Sequence, residues 1–294
     1  MDTAALLARC DFGTACDFGG NRELALAVSG GADSTAMAVL AARAGRSFTI
    51  WHVDHGIRGA GAAEAEVVEK LASSLGAPFE LRRLNLSDGP DLEARAREAR
   101  YRALPTDVCV AHTADDRAET ILLNLLRGAG LAGVAAPFSR VRRPIIGLRR
   151  AETRAVCESA GVEVVDDPMN DDERFARVAV RNRLMPLAAE ALDRDPVPLL
   201  NRHADLVADA LAVIQGAAAA LDPTDTAALR CAPRAVASEA LRQWLMSETG
   251  SATAVDAASI DRVMAVVDGT HRATEVEGGH RVTRTAGRLR LERL

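Results

Sequence analysis

The chain has 294 residues, enough for about two domains, and its 48% apolar content supports a packed core. A single small module and a low-complexity polymer are excluded. No run approaches the ~18 apolar residues of a membrane span, and the start MDTAALLARCDFG has no basic-then-apolar leader. Five scattered cysteines, Cys10, Cys16, Cys109, Cys157 and Cys231, form no CxxC pair and no zinc-type spacing. Together these features predict a cytoplasmic protein with no membrane partner and no disulfide, zinc or iron–sulfur framework.

The net charge of -5 hides local fields. Between Arg127 and Arg154 seven arginines face one acid, Glu152, and the last fourteen residues hold five arginines against Glu292. Only Lys70 among the 36 basic residues is a lysine. Any other anion-binding cation is therefore arginine, which stays charged and grips anions bidentately.

From Glu23 short β-rich runs alternate with helical periods: strand Glu23–Val28, helix Ser34–Ala44, strand Ser47–Val53, helix Ala62–Leu75, strand Phe79–Leu84, helix Asp91–Leu104, strand Asp107–Ala111 and helix Asp115–Leu126. That pattern predicts an α/β fold with a doubly wound, mostly parallel sheet. A glycine-rich run, RGAGLAGVAAP, follows. RRPIIGL then reads as extended, Ala151–Ala160 as a helix closed by Gly161, VDDPMNDDERF as a surface loop and Ala176–Ala191 as a helix. The prolines of DRDPVP mark a linker, which divides the chain into a catalytic domain, residues 1–195, and a smaller mainly helical domain, residues 196–294. In the latter, helices are expected at Leu199–Leu221, Pro233–Thr249 and Asp256–Val267. The tail, with Gly278-Gly279 and Gly287 as turns, reads as a β-meander.

The most informative string is Ser29-Gly30-Gly31-Ala32-Asp33-Ser34, set between the buried run LALAV and a helix. Such a turn presents backbone N–H groups and a helix N-terminus to the crevice at the edge of the sheet, an anion site suited to pyrophosphate. Gly30 and Gly31 allow close approach, the Ser29 and Ser34 hydroxyls can donate to phosphate, and Asp33 makes sense beside Mg²⁺. An ordinary capping turn with Ser34 as the cap is the plainer alternative. The string is neither a Walker-type loop nor Gly-x-Gly-x-x-Gly. Trp51-His52-Val53-Asp54-His55-Gly56-Ile57-Arg58 ends the second strand on the same rim, either as a metal site or, more plainly, as a local hydrogen-bond cluster. In His112-Thr113-Ala114-Asp115-Asp116-Arg117-Ala118-Glu119, Asp116 and Glu119 share one helix face. Such acids serve the helix macrodipole or hold a cationic substrate.

The Ser29–Ser34 string resembles the SGGxDS signature of the PP-loop, N-type ATP pyrophosphatases. That resemblance implies ATP cleaved between its α and β phosphates with an adenylated intermediate. In order, SGGADS, HVDHGIR, HTADDRAET, RGAGLAGVAAP, RPIIGLRRAETRAVCESAG and DDPMNDDERFARVAVRNRLMP closely resemble the tRNA(Ile)-lysidine synthetase family, in its short two-domain form, over about residues 23–190. The resemblance implies a ligase that uses ATP to adenylate C2 of the wobble cytidine of a CAU-anticodon tRNA(Ile). Free L-lysine then displaces AMP through its ε-amine, which gives lysidine and AUA decoding.

The residues fit that chemistry as follows. Ser29, Gly30, Gly31, Ala32, Asp33 and Ser34 bind ATP, Asp33 also takes Mg²⁺, and Arg127 with Asp33 stabilises the departing pyrophosphate. The family's lysine pocket falls on Asp116 and Glu119. The base that frees the lysine amine stays open between these two, His112 and His55. Arg140, Arg142, Arg143, Arg149, Arg150, Arg177 and Arg181, flanked by Arg154, Arg174 and Arg183, are the candidates for tRNA phosphates, and Phe138, Phe175 or an arginine plane for stacking on the cytidine. The chain departs from the family pattern at Val164-Val165-Asp166-Asp167-Pro168, where an aromatic and a Glu-Asp pair are usual. It departs again at Arg177-Val178, where Arg-Asn is usual. The last hundred residues carry no readable motif, and tRNA recognition by them is implied by the resemblance alone. A tRNA thiolase, which needs a reactive cysteine pair or cluster, and a non-catalytic nucleotide-binding module are the rival readings. The oligomeric state is open between monomer and homodimer.

Overall fold

The computed structural model describes residues 2–13, 23–54, 61–84, 99, 102–135, 141–165, 176–250, 255–276 and 278–294. His55, Arg58, Phe138, Arg140, Arg174, Phe175, the acidic loop at Asp166 and Asp167, and most of the helix expected at Asp91–Leu104 lie outside the described residues. Packing divides the chain into two units, one of residues 1–127 and 137–202, the other of residues 128–136 and 203–294. No described helix is long and apolar enough to cross a membrane.

In the first unit, α1 (Thr3–Leu7) precedes three parallel strands, β1 (Leu24–Ala27), β2 (Phe48–Asp54) and β3 (Phe79–Arg83), in that spatial order. Alternation gives the sheet two apolar faces. Leu24, Leu26, Phe48 and Ile50 belong to one core, while Ala25, Ala27, Trp51 and Val53 pack with Leu104, Val108 and Val110 in another. Beyond β1 the backbone of Cys109 continues the sheet: its N–H bonds Ala25 O at 2.7 Å and its carbonyl accepts from Ala27 N–H at 2.9 Å. Val110 N–H bonds Arg142 O at 2.9 Å. The strand expected at Asp107–Ala111 is thus a single bridge residue. The extended RRPIIGL segment stops at Arg143, because Pro144 has no amide hydrogen for a ladder, and residues 144–147 turn instead. The chain leaves β1 to one side for β2 and reaches Cys109 on the other, which creates a crevice at the C-terminal ends of the two segments.

Helices α2 (Ala32–Arg43), α3 (Gly61–Ser74), α4 (Ala114–Leu126) and α6 (Arg150–Ala160) fall close to the expected spans, and Gly161 closes α6 with φ 63°. A short helix, α5 (Leu131–Ala135), lies in the glycine-rich run, where the sequence suggests none. α2 packs against α6. Residues 176–192 form one continuous helix whose middle turn, Val180–Leu184, is a π-turn between α7 (Ala176–Ala179) and α8 (Met185–Leu192). Pro186 supplies the reason. It has no N–H, and its ring crowds the carbonyl of Asn182 four residues earlier, so the preceding turn widens. Pro196 and Pro198 open α9 (Pro196–Ala219) rather than forming a loop, since first-turn N–H groups lack intrahelical acceptors in any case.

In the second unit α10 (Thr226–Cys231), α11 (Arg234–Thr249) and α12 (Ala257–Asp268) pack around Leu229, Leu241, Leu245, Val263 and Val267. The expected meander is present as antiparallel β4 (Ala273–Val276), β5 (His280–Thr285) and β6 (Arg288–Arg293). Gly278-Gly279 and Ala286-Gly287 make its turns, all four residues at positive φ.

Candidate active site

The chain turns sharply after β1. Gly30 has φ +92°, and a Cβ there would stand 3.1 Å from Val165 Cγ2 and 3.4 Å from Val68 Cγ2, so only glycine fits without displacement. The loop braces itself: Ser29 N–H donates to Ser34 Oγ at 3.1 Å, the Ser34 hydroxyl donates to Gly31 O at 3.0 Å, and Thr35 Oγ1 donates to Gly30 O at 3.1 Å. Val165 N–H adds a bond to Gly30 O at 3.0 Å. The N-cap of α2 is Gly31, not Ser34, and no side chain caps the helix. Its first-turn N–H groups are therefore free to serve an anion. His52, 2% exposed, sets Nδ1 2.8 Å from Val28 O. The carbonyl can only accept, so Nδ1 carries the proton, and the ring anchors the backbone that leads into the loop.

Asp33 sits in the first turn of α2, where α6 covers it. Thr153, wholly buried, donates its hydroxyl to Asp33 Oδ1, and Arg150 Nε lies 3.8 Å from Oδ2. Burial raises the Asp33 carboxyl above its usual range. The Thr153 bond and the guanidiniums of Arg150 and Arg181 oppose that rise, and the Asp116 charge adds to it.

The second half of the site comes from α4. Thr113 caps this helix, and Asp116 completes a capping box: its Oδ2 accepts from Thr113 N–H at 2.8 Å and from the Thr113 hydroxyl at 3.0 Å. Oδ1 is left for cations. Arg150 Nη2 and Arg177 Nη2 both donate to it at 3.0 Å. Glu119, one turn on and 2% exposed, receives Arg150 Nη1 at 3.0 Å, Arg177 Nε at 3.2 Å, and Arg181 through Nε at 2.9 Å and Nη2 at 3.2 Å. Burial alone would push the Asp116 carboxyl up, but Arg177, Arg150 and the Thr113 N–H together hold it below the usual carboxylate range. Three arginines thus neutralise Asp33, Asp116 and Glu119, and Arg150 touches all three acids.

The loop, Asp33, Asp116 and Glu119 come together as the sequence suggests. Arg150, Arg177 and Arg181 come to the same place, but as partners of the acids. Arg149 is paired with Asp115 and Asp195. Arg143 donates to His112 Nδ1 at 2.9 Å and to Val141 O, so the lone pair His112 would need as a base at Nδ1 is engaged. Arg142 lends its backbone carbonyl to the sheet. Arg127 does not join the site. It is exposed at the C-cap of α4, about 12 Å along the helix from Glu119 at 1.5 Å per residue. Thr153 is a site residue that the sequence analysis missed, and no local signal marks it. Cys109 and Cys157 are buried, and burial chiefly pushes both thiols up to about 11, which disfavours the thiolate that a sulfur-transfer enzyme needs.

Residues 11–188 match the PP-loop domain family. A tRNA(Ile)-lysidine synthase of Bordetella pertussis is 39% identical over 259 residues, covering 76% of this chain and 80% of the relative. One from Salinispora tropica is 37% identical over 296 residues, covering 90% and 89%. Another, from Mycobacterium leprae, is 37% identical over 260 residues, covering 82% and 79%. Among solved structures, the U34-tRNA thiolase NcsA from Methanococcus maripaludis is similar in fold, with a TM-score of 0.51 at 14% identity over 71% of this chain and 79% of that one.

Two stability measurements check the local physics. Gly30→Ala is expected to cost about 1–3 kcal/mol in urea unfolding, because the left-handed backbone and the Val165 contact both oppose a Cβ; an unchanged midpoint contradicts this. Asp33 has a raised folded-state carboxyl, so the folded protein binds more protons than the unfolded one, and stability falls as pH climbs from about 3.9 through the folded value. Asp33→Asn is therefore expected to melt a few degrees higher than wild type at pH 7, with the gain shrinking as pH falls through the folded value and gone below about pH 4. A lower melting temperature at pH 7 contradicts the assignment.

Proposed function

Because the chain belongs to the tRNA(Ile)-lysidine synthase family and carries its ATP-binding PP-loop domain, we propose that it ligates L-lysine to C2 of the wobble cytidine of CAU-anticodon tRNA(Ile) in the cytoplasm, releasing AMP and pyrophosphate. One observation carries the reading. A single guanidinium, Arg150, bridges the acid of the phosphate loop, 3.8 Å away, to a buried acid pair at 3.0 Å. A nucleotide site and a cation site are thereby held side by side.

In the first step the loop N–H groups and the α2 N-terminus hold the β and γ phosphates. Arg150 stands ready for the charge that develops as pyrophosphate leaves. Mg²⁺ fits the donor set on one condition. Among the described residues no group of three His, Cys, Asp or Glu side chains is arranged to hold a metal ion by itself, so Asp33 would hold the ion together with the nucleotide's own phosphates, the usual arrangement for this cation. When bound, it supplies positive charge to the triphosphate. Asp33, partly buried with Thr153 as its one hydroxyl partner, is a carboxylate that gains from such a cation.

In the second step the ε-ammonium of lysine takes a place on Asp116 and Glu119. The cluster of three arginines and three acids is already neutral, so an added ammonium displaces one guanidinium. Arg177, with its side chain 32% exposed, is the most accessible of the three and is the one that yields. Asp116, held below the usual range, is suited to binding the ammonium rather than to taking its proton. The displaced Arg177, with Arg154 and Arg183 also exposed, supplies contacts for tRNA phosphates. Residues 1–195 act as the catalytic domain, and residues 196–294 as the domain that recognises tRNA.

Incubation with a CAU-anticodon transcript, ATP, Mg²⁺ and isotopically labelled lysine, read by mass spectrometry, is expected to give labelled cytidine with one AMP per lysine. ADP and orthophosphate, or an unlabelled transcript, overturn the reading. Glu119→Gln is expected to keep tRNA-dependent exchange of labelled pyrophosphate into ATP, which also reports correct folding. Its lysine transfer is expected to fall on the order of 100-fold, as loss of a buried charge partner does. Equal loss of both activities removes Glu119 from the lysine step.

A further inference from the structure

Beside the acid pair lies a cavity of about 220 Å³ in the first unit, lined among others by Glu119, Arg149, Asp195, Met185, Pro186 and Val197. Its walls differ in kind. Met185, Pro186 and Val197 are apolar, Glu119 offers a buried carboxylate, and Arg149 and Asp195 form an ion pair whose side chains are 36% and 47% exposed. Each of that pair is held from elsewhere. Arg149 donates through Nε and Nη2 to Asp115, both at 3.1 Å, which leaves Nη1 for Asp195. Asp195 accepts from Val197 N–H at 3.0 Å at the start of α9. The mutual pair is open to water, where such a contact contributes little and exchanges readily.

The head of an α-amino acid carries the same two charges, a carboxylate that matches Arg149 and an ammonium that matches Asp195. A ligand with that head, a flexible methylene chain against the apolar wall and a terminal cation for Glu119 engages the ion pair, the apolar wall and the buried acid together. The volume suits one amino acid rather than a larger metabolite. We propose that Arg149 and Asp195 form the subsite for the α-carboxylate and α-ammonium of the substrate lysine, and so select an intact amino acid over other primary amines. This rests on the ligase reading above.

The test measures lysine transfer by the full chain with inhibition by 6-aminohexanoate, which lacks the α-ammonium, and by cadaverine, which lacks the α-carboxylate. Wild type is expected to bind both at least about tenfold more weakly than lysine. Asp195→Asn is expected to raise KM for lysine about tenfold while shifting the 6-aminohexanoate inhibition constant less than about twofold, so that the selectivity between them collapses. Arg149→Gln is expected to weaken lysine and 6-aminohexanoate but not cadaverine. Equal binding of all three compounds to wild type, or an Asp195→Asn effect that is the same for lysine and 6-aminohexanoate, overturns the subsite while the ligase reading stands. A wild-type protein that transfers no lysine overturns both.

Discussion

Two carboxylates buried in the first turns of one helix need cations, and the fold of the first unit is arranged to bring three. Asp116 and Glu119 come from α4, Arg150 from α6, and Arg177 and Arg181 from the helix over residues 176–192. Removing water from these charges is costly, and a hydrophobic cluster of the same volume would hold three helices together at least as well. The ion cluster is therefore better understood as a site than as a staple. It registers three helices against one another and exposes one edge of its charge to a cavity.

The same cluster drives two carboxyl groups apart. Asp116, ringed by guanidiniums and N–H donors, is kept ionised, whereas Asp33, with burial outweighing its partners, is pushed the other way. Divergent environments for neighbouring acids are a mark of divided labour. In the reaction proposed above, one acid serves a cationic substrate, and the other, with its guanidinium 3.8 Å away, is the one placed beside nucleotide and metal. Arg150 spans the gap, so events at the phosphate loop and at the acid pair share one side chain.

Much of this was legible in the chain itself. The phosphate loop could be read because glycine and short hydroxyl residues between a buried strand and a helix have few other uses, whereas the positive φ of Gly30 is visible only in the structure. The acid pair could be read because three residues on a helix is a fixed geometry. The partners could not. Arg150, Arg177 and Arg181 sit in an arginine-rich text that looks like a surface for nucleic acid, and nothing local says that they turn inward to carboxylates more than thirty residues away. Arg127 looked close to the site in the string RGAG, but α4 carries it away from the crevice. Thr153 depends on the packing of α6 on α2, which no periodicity reveals. Prolines 196 and 198 suggested a break because their rarity inside helices is easier to read than their fitness for a first turn.

In the proposed reaction the acid pair is a cation site kept filled by the protein's own arginines until the substrate ammonium takes one place. A crystal structure of the protein with lysine and a non-hydrolysable ATP analogue tests it most directly. The lysine Nζ is expected within hydrogen-bond distance of Asp116 Oδ1 and the Glu119 carboxylate, with the Arg177 guanidinium swung away. Lysine bound elsewhere, with all three guanidiniums still on the two acids, would contradict it.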